Sequence, residues 1–411
     1  MKTTQLRQIL GQRCQRISPP CCEKQCEAEL MNAPATILES VRVLDLSRLA
    51  PGPYGSMLLG DMGAEIIIVA GGRGSLPINA YGRGKSVVTL NLKSEEGRSA
   101  FHKLAATADV LIEGYRPGVA DRLGIGYEDL RSINSRLIYC SVTGYGQDGP
   151  LAQEAGHDIN YVGMSGMLGA MGPSDAAPVL PLNLVADFAG GGMHAALAIV
   201  SALYERERSG RGKYLDVAMV DGCISLMAMH YADWGKPVLP ARGQGLLTGE
   251  APFYRCHRCS DGRFVAVGAL EPTFFGNLWQ GLGLGGPPPD HMSRATWPEI
   301  AEEFERAFVA RTRDEWAQHF AGKDACVTPV LSPEEVFDHP HNASRHPEAS
   351  PESVPVLPWA SQAAGRGNEE APKDISDRLL EGLGLGRKEI AAATGGKSAG
   401  GQGIAWPPVR E

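Results

Sequence analysis

The sequence predicts an α/β fold in which a large domain with a doubly wound parallel sheet is joined to a smaller α/β domain. Short apolar segments rich in Val, Ile and Leu recur along the first half of the chain. Stretches long enough to form a helix separate them, and this alternation is typical of parallel βαβ units. The length of 411 residues exceeds one average domain, so a second domain is expected.

Six segments carry the strand pattern of the large domain. Each is a short run of apolar and β-branched residues that turn or helix signals bound. In chain order they are 41–46, 64–69, 86–92, 110–112, 137–142 and 214–217.

Helix signals lie between these strands. Ser94 is placed to cap a helix whose first turn holds Glu95 and Glu96, where the helix dipole favours negative charge. Residues 54–61 indicate an earlier helix, after an Ala-Pro-Gly-Pro stretch that breaks the first strand. Residues 189–206 begin with glycines and continue as a long apolar helix.

The domain organisation follows from these patterns and from composition. We expect a disordered extension over 1–37, a large domain over 38–230, a small domain over 240–325, a segment over 326–393 that returns to the large domain, and a disordered tail over 394–411. The extension is basic at its start and weakly resembles a transit peptide, and a start of the protein at Met31 is an alternative.

The small domain and the return segment also have predicted elements. A strand is expected at 263–267, with helices near 274–282 and 297–313. A further helix pair is expected over 375–392, after a Pro-rich linker.

Composition disfavours several classes of protein. The net charge of −8 disfavours a nucleic-acid partner, and the absence of a run of about 18 apolar residues predicts no membrane span. Without a secretory segment, the nine cysteines are expected to be free thiols in a reducing compartment. Cys256 and Cys259 lack a second pair at metal-ligand spacing, so no metal site is expected. We expect a cytoplasmic protein, with mitochondria or peroxisomes as alternatives.

Polar groups collect in three segments, 156–161, 183–188 and 268–272. Each lies next to a predicted strand or helix start, where ligands bind in open α/β sheets. An imidazole titrates near working pH, so His157 is suited to act as a general base. A carboxyl in an apolar pocket has a raised pKa, so Asp187 is suited to act as the second acid/base residue. Glu271 is placed to orient the imidazole.

This set of groups suits proton transfer at a carbon next to a thioester carbonyl. Backbone N–H groups at a helix start led by Gly190, Gly191 and Gly192 are expected to face the developing oxyanion. Taken one at a time, these residues favour structural roles, because a lone histidine is more often hydrogen-bonded within the fold and Asp187 also suits a helix cap.

Several longer stretches together resemble the α-methylacyl-CoA racemases, a branch of the class III CoA-transferase superfamily. The matching stretches are 46–65, 82–93, 108–126, 136–150, 156–161 (GHDINY), 181–193 (PLNLVADFAGGGM), 250–256, 265–275 and 324–331. They cover about residues 40–335, and their shared order makes the signal specific.

The resemblance implies a site and an assembly. It implies that His157 and Asp187 are the two acid/base residues and that Glu271 pairs with the histidine. It also implies contacts with CoA from Leu90, Asn91, Leu92, Lys93, Arg122, Gly156, Asp158, Ile159, Asn160 and Tyr161, and a phosphate contact from Arg73. No cofactor is implied beyond the CoA of the substrate. The family forms interlocked homodimers, so Glu271 is expected to act across the subunit boundary.

One departure from the family affects the substrate. Residues 245–250 read Gly-Leu-Leu-Thr-Gly-Glu where the family has Asn-Met-Leu-Asp-Gly-Gly. The resemblance therefore leaves two acyl classes open, a 2-methylacyl-CoA and an aminoadipyl-type thioester such as isopenicillinyl-CoA, which a fungal branch of the family inverts. Two other functions also stay open: a class III CoA-transferase with an aspartate nucleophile, which the presence of His157 disfavours, and a non-catalytic acyl-CoA-binding protein.

Overall fold

The structure, a computed structural model, describes residues 36–71, 79–347, 349–350, 356, 359–360 and 372–396. Almost all of the extension predicted over 1–37 lies outside these ranges, as does the tail beyond residue 396. Arg73 also lies outside the described residues.

The large domain is built on a seven-stranded sheet in which all neighbouring strands are parallel. The described strands are β1 (Arg42–Asp45), β2 (Glu65–Ala70), β3 (Ser86–Thr89), β4 (Val110–Glu113), β5 (Ile138–Thr143), β6 (Tyr214–Ala218), β7 (Tyr254–Arg258), β8 (Phe264–Gly268), β9 (Val327–Pro329) and β10 (Lys373–Asp374). The sheet order is β10-β3-β2-β1-β4-β5-β6. All six predicted strands are confirmed, and β10 adds an edge strand from the return segment.

Helices connect these strands. The described α-helices are α1 (Pro51–Asp61), α2 (Glu95–Ala105), α3 (Val119–Arg122), α4 (Tyr127–Ile133), α5 (Asp158–Met164), α6 (Met167–Ala170), α7 (His194–Ser209), α8 (Met219–Leu226), α9 (Ala228–Asp233), α10 (Pro272–Gly281), α11 (Trp297–Phe308), α12 (Arg313–Phe320), α13 (Pro340–Arg345), α14 (Ser376–Gly382) and α15 (Arg387–Thr394). A π-helical segment, Leu184–Met193, runs directly into α7 and is called the π segment below.

Helices cover both faces of the sheet. Leu59 of α1 and Ile199 of α7 are buried on one face. Phe101 of α2, Leu130 of α4 and Ile390 of α15 are buried on the other. The doubly wound prediction is therefore confirmed, and so is the helix pair predicted over 375–392.

Two predicted helix starts are wrong. Helix α1 begins at Pro51 rather than at residue 54, because proline is well tolerated in a first helical turn, where its missing N–H has no partner to lose. The apolar helix predicted over 189–206 begins at Leu184, so Asp187 and Gly190–Gly192 lie inside it.

The continuous helix over Leu184–Ser209 also has the length and mean hydropathy, 1.4, of a membrane span, with 39% of that window buried. The sequence predicted no span, and this helix meets the criterion by length and composition only. Core helices of globular proteins pass the same test, so the feature carries little weight.

The glycines of the π segment permit close packing. A Cβ atom on Gly192 would lie 2.7 Å from the Pro51 carbonyl oxygen, and one on Gly191 would lie 2.9 Å from the Pro51 Cβ. On the opposite side, a Cβ on Gly222 of α8 would lie 2.2 Å from the Gly190 carbonyl oxygen. The π segment is therefore held between α1 and α8 at a distance that no larger residue allows.

A buried lysine fixes the first turn of α1. The Lys85 Nζ donates to the Pro53 carbonyl at 2.8 Å and to the Ser56 hydroxyl at 2.6 Å, and it lies 3.5 Å from the Asp45 carboxylate. Burial lowers the pKa of Lys85 to about 8, against the opposing effect of Asp45. This network joins β1 and β3 to the helix that packs against the π segment.

The small domain has its own sheet and core. Strands β7, β8 and β9 form an antiparallel sheet in the order β7-β8-β9. Its core is rich in aromatic side chains, including Phe253, Phe275, Phe304, Phe308 and Trp316. The helix predicted over 297–313 is two helices, α11 and α12, because Thr312 caps a new helix and forms a capping box with Glu315.

Replacement of Gly192 by alanine is expected to destabilise the large domain by about 1–3 kcal/mol, because the added methyl group must push α1 away from the π segment. Gly276→Ala in α10 is the matched control, since its Cβ meets open space. The control is expected to leave the thermal midpoint unchanged or slightly raised. A Gly192→Ala protein with the same thermal midpoint as the wild type would contradict the close packing of the π segment against α1.

Candidate functional site

One buried carboxylate joins the two segments that carry the predicted acid/base residues. Asp158, at the start of α5, is 5% exposed. Its Oδ2 accepts hydrogen bonds from the backbone N–H of Ala186 at 2.7 Å and of Asp187 at 2.9 Å. These N–H groups lie in the first turn of the π segment, where they lack helical partners. Asp158 thereby fixes the start of α5 against the start of the π segment.

His157 precedes α5 and is presented to solvent by a locally rigid segment. Its backbone N–H donates to the Asn160 side chain at 3.0 Å, and the Tyr161 hydroxyl donates to the Gly156 carbonyl at 2.6 Å. The imidazole is exposed, so its ring is accessible to a ligand.

Asp187 is half-buried and has one polar side-chain partner. The Asn183 amide donates to the Asp187 Oδ2 at 3.0 Å. Burial raises the pKa of the Asp187 carboxyl above its ordinary value, and the nearby charge of Asp158 raises it further. The Asn183 hydrogen bond and the charge of His157 lower this pKa, but their effect is smaller than that of burial. His157 directly precedes Asp158, whose carboxylate binds the backbone N–H of Asp187, so the two predicted residues lie on adjoining segments.

Two clusters of aromatic rings involve Phe188, the neighbour of Asp187 in the chain, and Tyr161 of α5. Tyr54, Tyr81 and Phe188 pack edge to face, with ring centroids 5.1–5.9 Å apart. Tyr145 and Tyr161 form a second such pair at 5.0 Å. Burial is the largest cause of the raised pKa of the Asp187 carboxyl.

Glu271 lies elsewhere in the chain. It directly precedes α10 in the small domain, and it is exposed. Its charge raises the pKa of the Cys326 thiol, after the larger effect of burial. Within the described residues no hydrogen bond or ion pair joins Glu271 to His157 or Asp187.

The residues predicted to bind CoA divide by burial. Leu90 and Leu92 are buried in the core, so only their backbone is available to a ligand. Asn91, Lys93 and Arg122 are exposed. The 156–161 segment contributes Gly156, Ile159, Asn160 and Tyr161 beside His157 and Asp158.

Three features of this region were missed from the sequence. Arg98 donates to the Lys93 carbonyl at 3.1 Å and so adds a cation beside the exposed lysine. Asn183 lies four residues before Asp187, which is a helical spacing that signals a possible contact. Tyr81 reaches Phe188 from a distant segment, and nothing local in the sequence signals that contact.

The prediction that Gly190, Gly191 and Gly192 begin a helix and face the oxyanion is corrected by the structure. Gly190, Gly191 and Gly192 are buried inside the π segment between α1 and α8 rather than at a helix start. Their N–H groups therefore do not belong to the first turn of a helix, where such groups are free to bind a ligand. Within the described ranges, no three His, Cys, Asp or Glu side chains come together as metal ligands would.

Comparisons with known proteins show the family to which the chain is similar. The family model described as CoA-transferase family III matches residues 38–364. The α-methylacyl-CoA racemase of Homo sapiens is 40% identical over 366 residues, covering 86% of this chain and 95% of the relative. The succinyl-CoA:glutarate CoA-transferase of Homo sapiens is 31% identical over 77% of this chain and 78% of the relative. A solved CAIB/BAIF family protein from Brucella suis superposes with a TM-score of 0.71 at 28% identity, covering 85% of this chain and 99% of that one.

Replacement of Asn183 by leucine is expected to raise the pKa of Asp187 further, because the hydrogen bond that favours the carboxylate is lost. The measurement is a pH titration by NMR with aspartate labelled at its carboxyl carbon, with Asp187→Asn used to assign the signal. Asn277→Leu, on the small domain, is the control and is expected to change nothing. An Asp187 midpoint that stays or falls in Asn183→Leu would show that this hydrogen bond does not act on the carboxyl.

Proposed function

The chain belongs to CoA-transferase family III, and within that family we propose that it is an acyl-CoA 2-epimerase, an isomerase that inverts the α-carbon of an acyl-CoA thioester without a cofactor. The observation that carries the proposal is the contact of Asp158 with the π segment, because it joins the segment that holds His157 to the segment that holds Asp187. The 40% identity with the human racemase supports the same reaction.

The proposed reaction moves one proton off and another onto the same carbon. In one direction the His157 imidazole removes the α-proton, and the Asp187 carboxyl delivers a proton to the opposite face. The opposite epimer uses the reverse assignment. Because Asn183 donates to Oδ2 of Asp187, the exchanging proton belongs on Oδ1. The raised pKa of this carboxyl increases the fraction that holds a proton at working pH.

Exposed polar and basic groups are proposed to hold the CoA portion. Asn91, Lys93 and Arg122 supply side chains, and Leu90 and Leu92 supply backbone. Arg73 is retained as a phosphate contact on the resemblance alone. In this arrangement the highly charged nucleotide of CoA lies on the surface, and the acyl group lies near Asp187 and its neighbouring aromatic rings.

The acyl group is proposed to be either of the 2-methylacyl type or of the polar aminoadipyl type. The altered loop over 245–250 supports the polar option. Its Glu250 carboxylate accepts from the Gly245 N–H at 2.6 Å and pairs with Arg294 at 2.5 Å. A charged pair thus holds a loop that the resemblance places beside the acyl site. We infer a cytoplasmic enzyme, with mitochondria or peroxisomes as alternatives, and no nucleic-acid partner.

A homodimer is proposed because one chain lacks a contact that the proposed site needs and also leaves an apolar surface exposed. The missing contact is that of Glu271, which forms no hydrogen bond or ion pair with His157 among the described residues of one chain. The surface is a set of exposed apolar side chains along the π segment and α7–α9: Leu184, Met193, Leu197, Ile224, Met229 and Tyr231. A second copy that covers this surface and brings its Glu271 to His157 would account for both.

The runner-up function is CoA transfer. The same family includes the human succinyl-CoA:glutarate relative, and Asp187 is available as a nucleophile for a mixed anhydride. His157 favours the epimerase, because a transferase needs no second proton-transfer group facing the carboxylate. A non-catalytic acyl-CoA-binding role is disfavoured by the same pair.

Deuterium incorporation tests the proposed reaction. In deuterated water the wild type is expected to label the α-carbon of 2-methylacyl-CoA or of an aminoadipyl-type thioester. His157→Gln and Asp187→Asn are each expected to slow inversion about 10²- to 10⁴-fold, because each removes one proton-transfer group. Residual exchange should favour opposite epimers in the two variants.

His341→Gln, on the exposed helix α13, is the control for a histidine without a role. If neither thioester acquires deuterium at its α-carbon and CoA is instead transferred to a free acid, the epimerase proposal is wrong and the protein is a CoA-transferase.

Hybrid dimers test the role of Glu271. When a His157→Ala chain and a Glu271→Ala chain are coexpressed with different tags, a site shared between subunits gives one intact and one doubly altered site per hybrid. About half of the wild-type activity is then expected, although each parent homodimer is impaired. Hybrids as inactive as the parents would show that His157 and Glu271 act within one chain.

A further inference from the structure

The strands of the large sheet diverge between β1 and β4. The chain moves from β1 through β2 to β3 on one side of this point, and from β4 through β5 to β6 on the other. The helices that follow the two strands pack on opposite faces, with Leu59 of α1 buried on one face and Leu130 of α4 on the other. Ligands of open α/β sheets bind in the crevice that such a divergence creates at the carboxyl ends of the strands.

Arg48 belongs to the loop that leaves β1 at this crevice. The loop is anchored, because the Ser47 backbone N–H donates to the buried Asp45 carboxylate at 2.9 Å and the Ser47 hydroxyl donates to the same oxygen. A Cβ atom on Gly114, in the loop after β4, would lie 3.9 Å from the Ser47 Cβ. The residue before Arg48 therefore lies close to the loop on the other side of the crevice.

The guanidinium of Arg48 extends to the end of β2. Its Nη2 atom lies 3.2 Å from the position that a Cβ atom on Gly71 would take. Gly71 is exposed and directly follows β2, which is the neighbour of β1 in the sheet. Arg48 thus spans the carboxyl ends of two adjacent strands beside the point where the sheet diverges.

This guanidinium has no polar partner within the part of the chain that the structure describes. It forms no ion pair and donates no hydrogen bond there, although the side chain is half-buried. Arg42, at the opposite end of β1, differs in this respect, because it pairs with Glu65 at 2.8 Å and donates to the Thr107 hydroxyl at 2.8 Å. Partial burial of an unpaired cation is unfavourable, and a bound anion would complete its contacts.

The proposed substrate offers a suitable anion in the diphosphate of CoA. In CoA the diphosphate lies between the nucleotide and the pantetheine arm that carries the thioester. Arg48 has a similar intermediate place in the large domain. On one side lies β3, which Lys93 follows, and on the other lies the π segment of Asp187, which Pro51 meets three residues after Arg48. A planar guanidinium can donate to two phosphate oxygens at once, which suits this group.

We infer that Arg48 binds the diphosphate of CoA at the divergence of β1 and β4 and is a further substrate-binding residue of this site. The inference rests on the proposed acyl-CoA substrate. It does not depend on the reaction, because an epimerase and a CoA-transferase both hold CoA. The contact is an ion pair with two hydrogen bonds, and no covalent bond changes in it.

Calorimetry with CoA and two analogues tests the inference. Arg48→Gln is expected to weaken CoA binding about 10- to 100-fold, because a charge-assisted contact is lost. Binding of 3′-dephospho-CoA, which keeps the diphosphate, is expected to weaken by the same factor. A CoA analogue with an uncharged linker in place of the diphosphate is expected to bind the variant and the wild type equally.

Arg258→Gln is the matched control for this measurement. Arg258 also lies beside a glycine, with its Nη2 atom 3.7 Å from the position of a Cβ on Gly262, and it forms no ion pair among the described residues. It belongs to β7 of the small domain, so CoA binding is expected to stay unchanged. The thermal midpoint is expected to stay unchanged in both variants, since neither side chain loses an ion pair.

The other outcomes would overturn the inference. They are CoA binding that is unchanged in Arg48→Gln, a wild type that does not bind CoA, and an equal loss with the uncharged analogue. A loss with CoA but not with 3′-dephospho-CoA would place Arg48 on the 3′-phosphate and would also overturn it. Because these measurements need no turnover, they decide the contact even if the wild type proves not to be an epimerase.

Gly71→Ala tests the placement of the guanidinium. The added methyl group would lie 3.2 Å from the Arg48 Nη2 atom, which is tighter than an ordinary contact, so the guanidinium has to move. CoA binding is expected to weaken about 2- to 10-fold in the wild-type background and to stay unchanged in the Arg48→Gln background. Equal losses in the two backgrounds would contradict the placement of Arg48 beside Gly71 in the bound state.

Discussion

The carboxylate of Asp158 accepts two backbone hydrogen bonds from the first turn of the π segment, and the geometry of the candidate site depends on that contact. The residue before it is His157, and one of its two donors belongs to Asp187. A single buried side chain therefore sets the relation between an exposed imidazole and a half-buried carboxyl. Removing it would leave two buried N–H groups without partners, a cost of about 1–3 kcal/mol for each.

The support for this contact extends through the packing of the large domain. The glycines of the π segment touch α1 and α8 at distances that exclude a side chain. The buried Lys85 in turn ties the first turn of α1 to β1 and β3. Strands, helix and π segment thus form one connected structure, and Asp187 is positioned by the sheet rather than by a loop.

Much of the fold could be predicted because local patterns determine it. The six strands are apolar runs with strong β-propensity, and the Ser94 cap has a clear signal in Glu95 and Glu96. The start of the π segment could not be predicted, since consecutive glycines indicate a break when their packing partners are unknown. In fact Gly190–Gly192 serve close contact with α1 and α8. Long-range contacts were equally invisible: Asp158 binds amides about thirty residues away, and Tyr81 meets Phe188 from another connection. The two-residue strand β10 is too short for any pattern.

The candidate site combines an exposed imidazole with a carboxyl of raised pKa on an adjoining segment, and the proposed inversion of one carbon centre uses these two groups. In the proposed homodimer, a second chain covers the exposed apolar surface of α7–α9 and supplies Glu271. The most direct measurement of the central claim is a crystal structure with an acyl-CoA bound. The account predicts that the His157 imidazole and the Asp187 carboxyl approach the α-carbon from opposite faces. An α-carbon that both groups reach from the same face, or that lies outside the space between them, would contradict it.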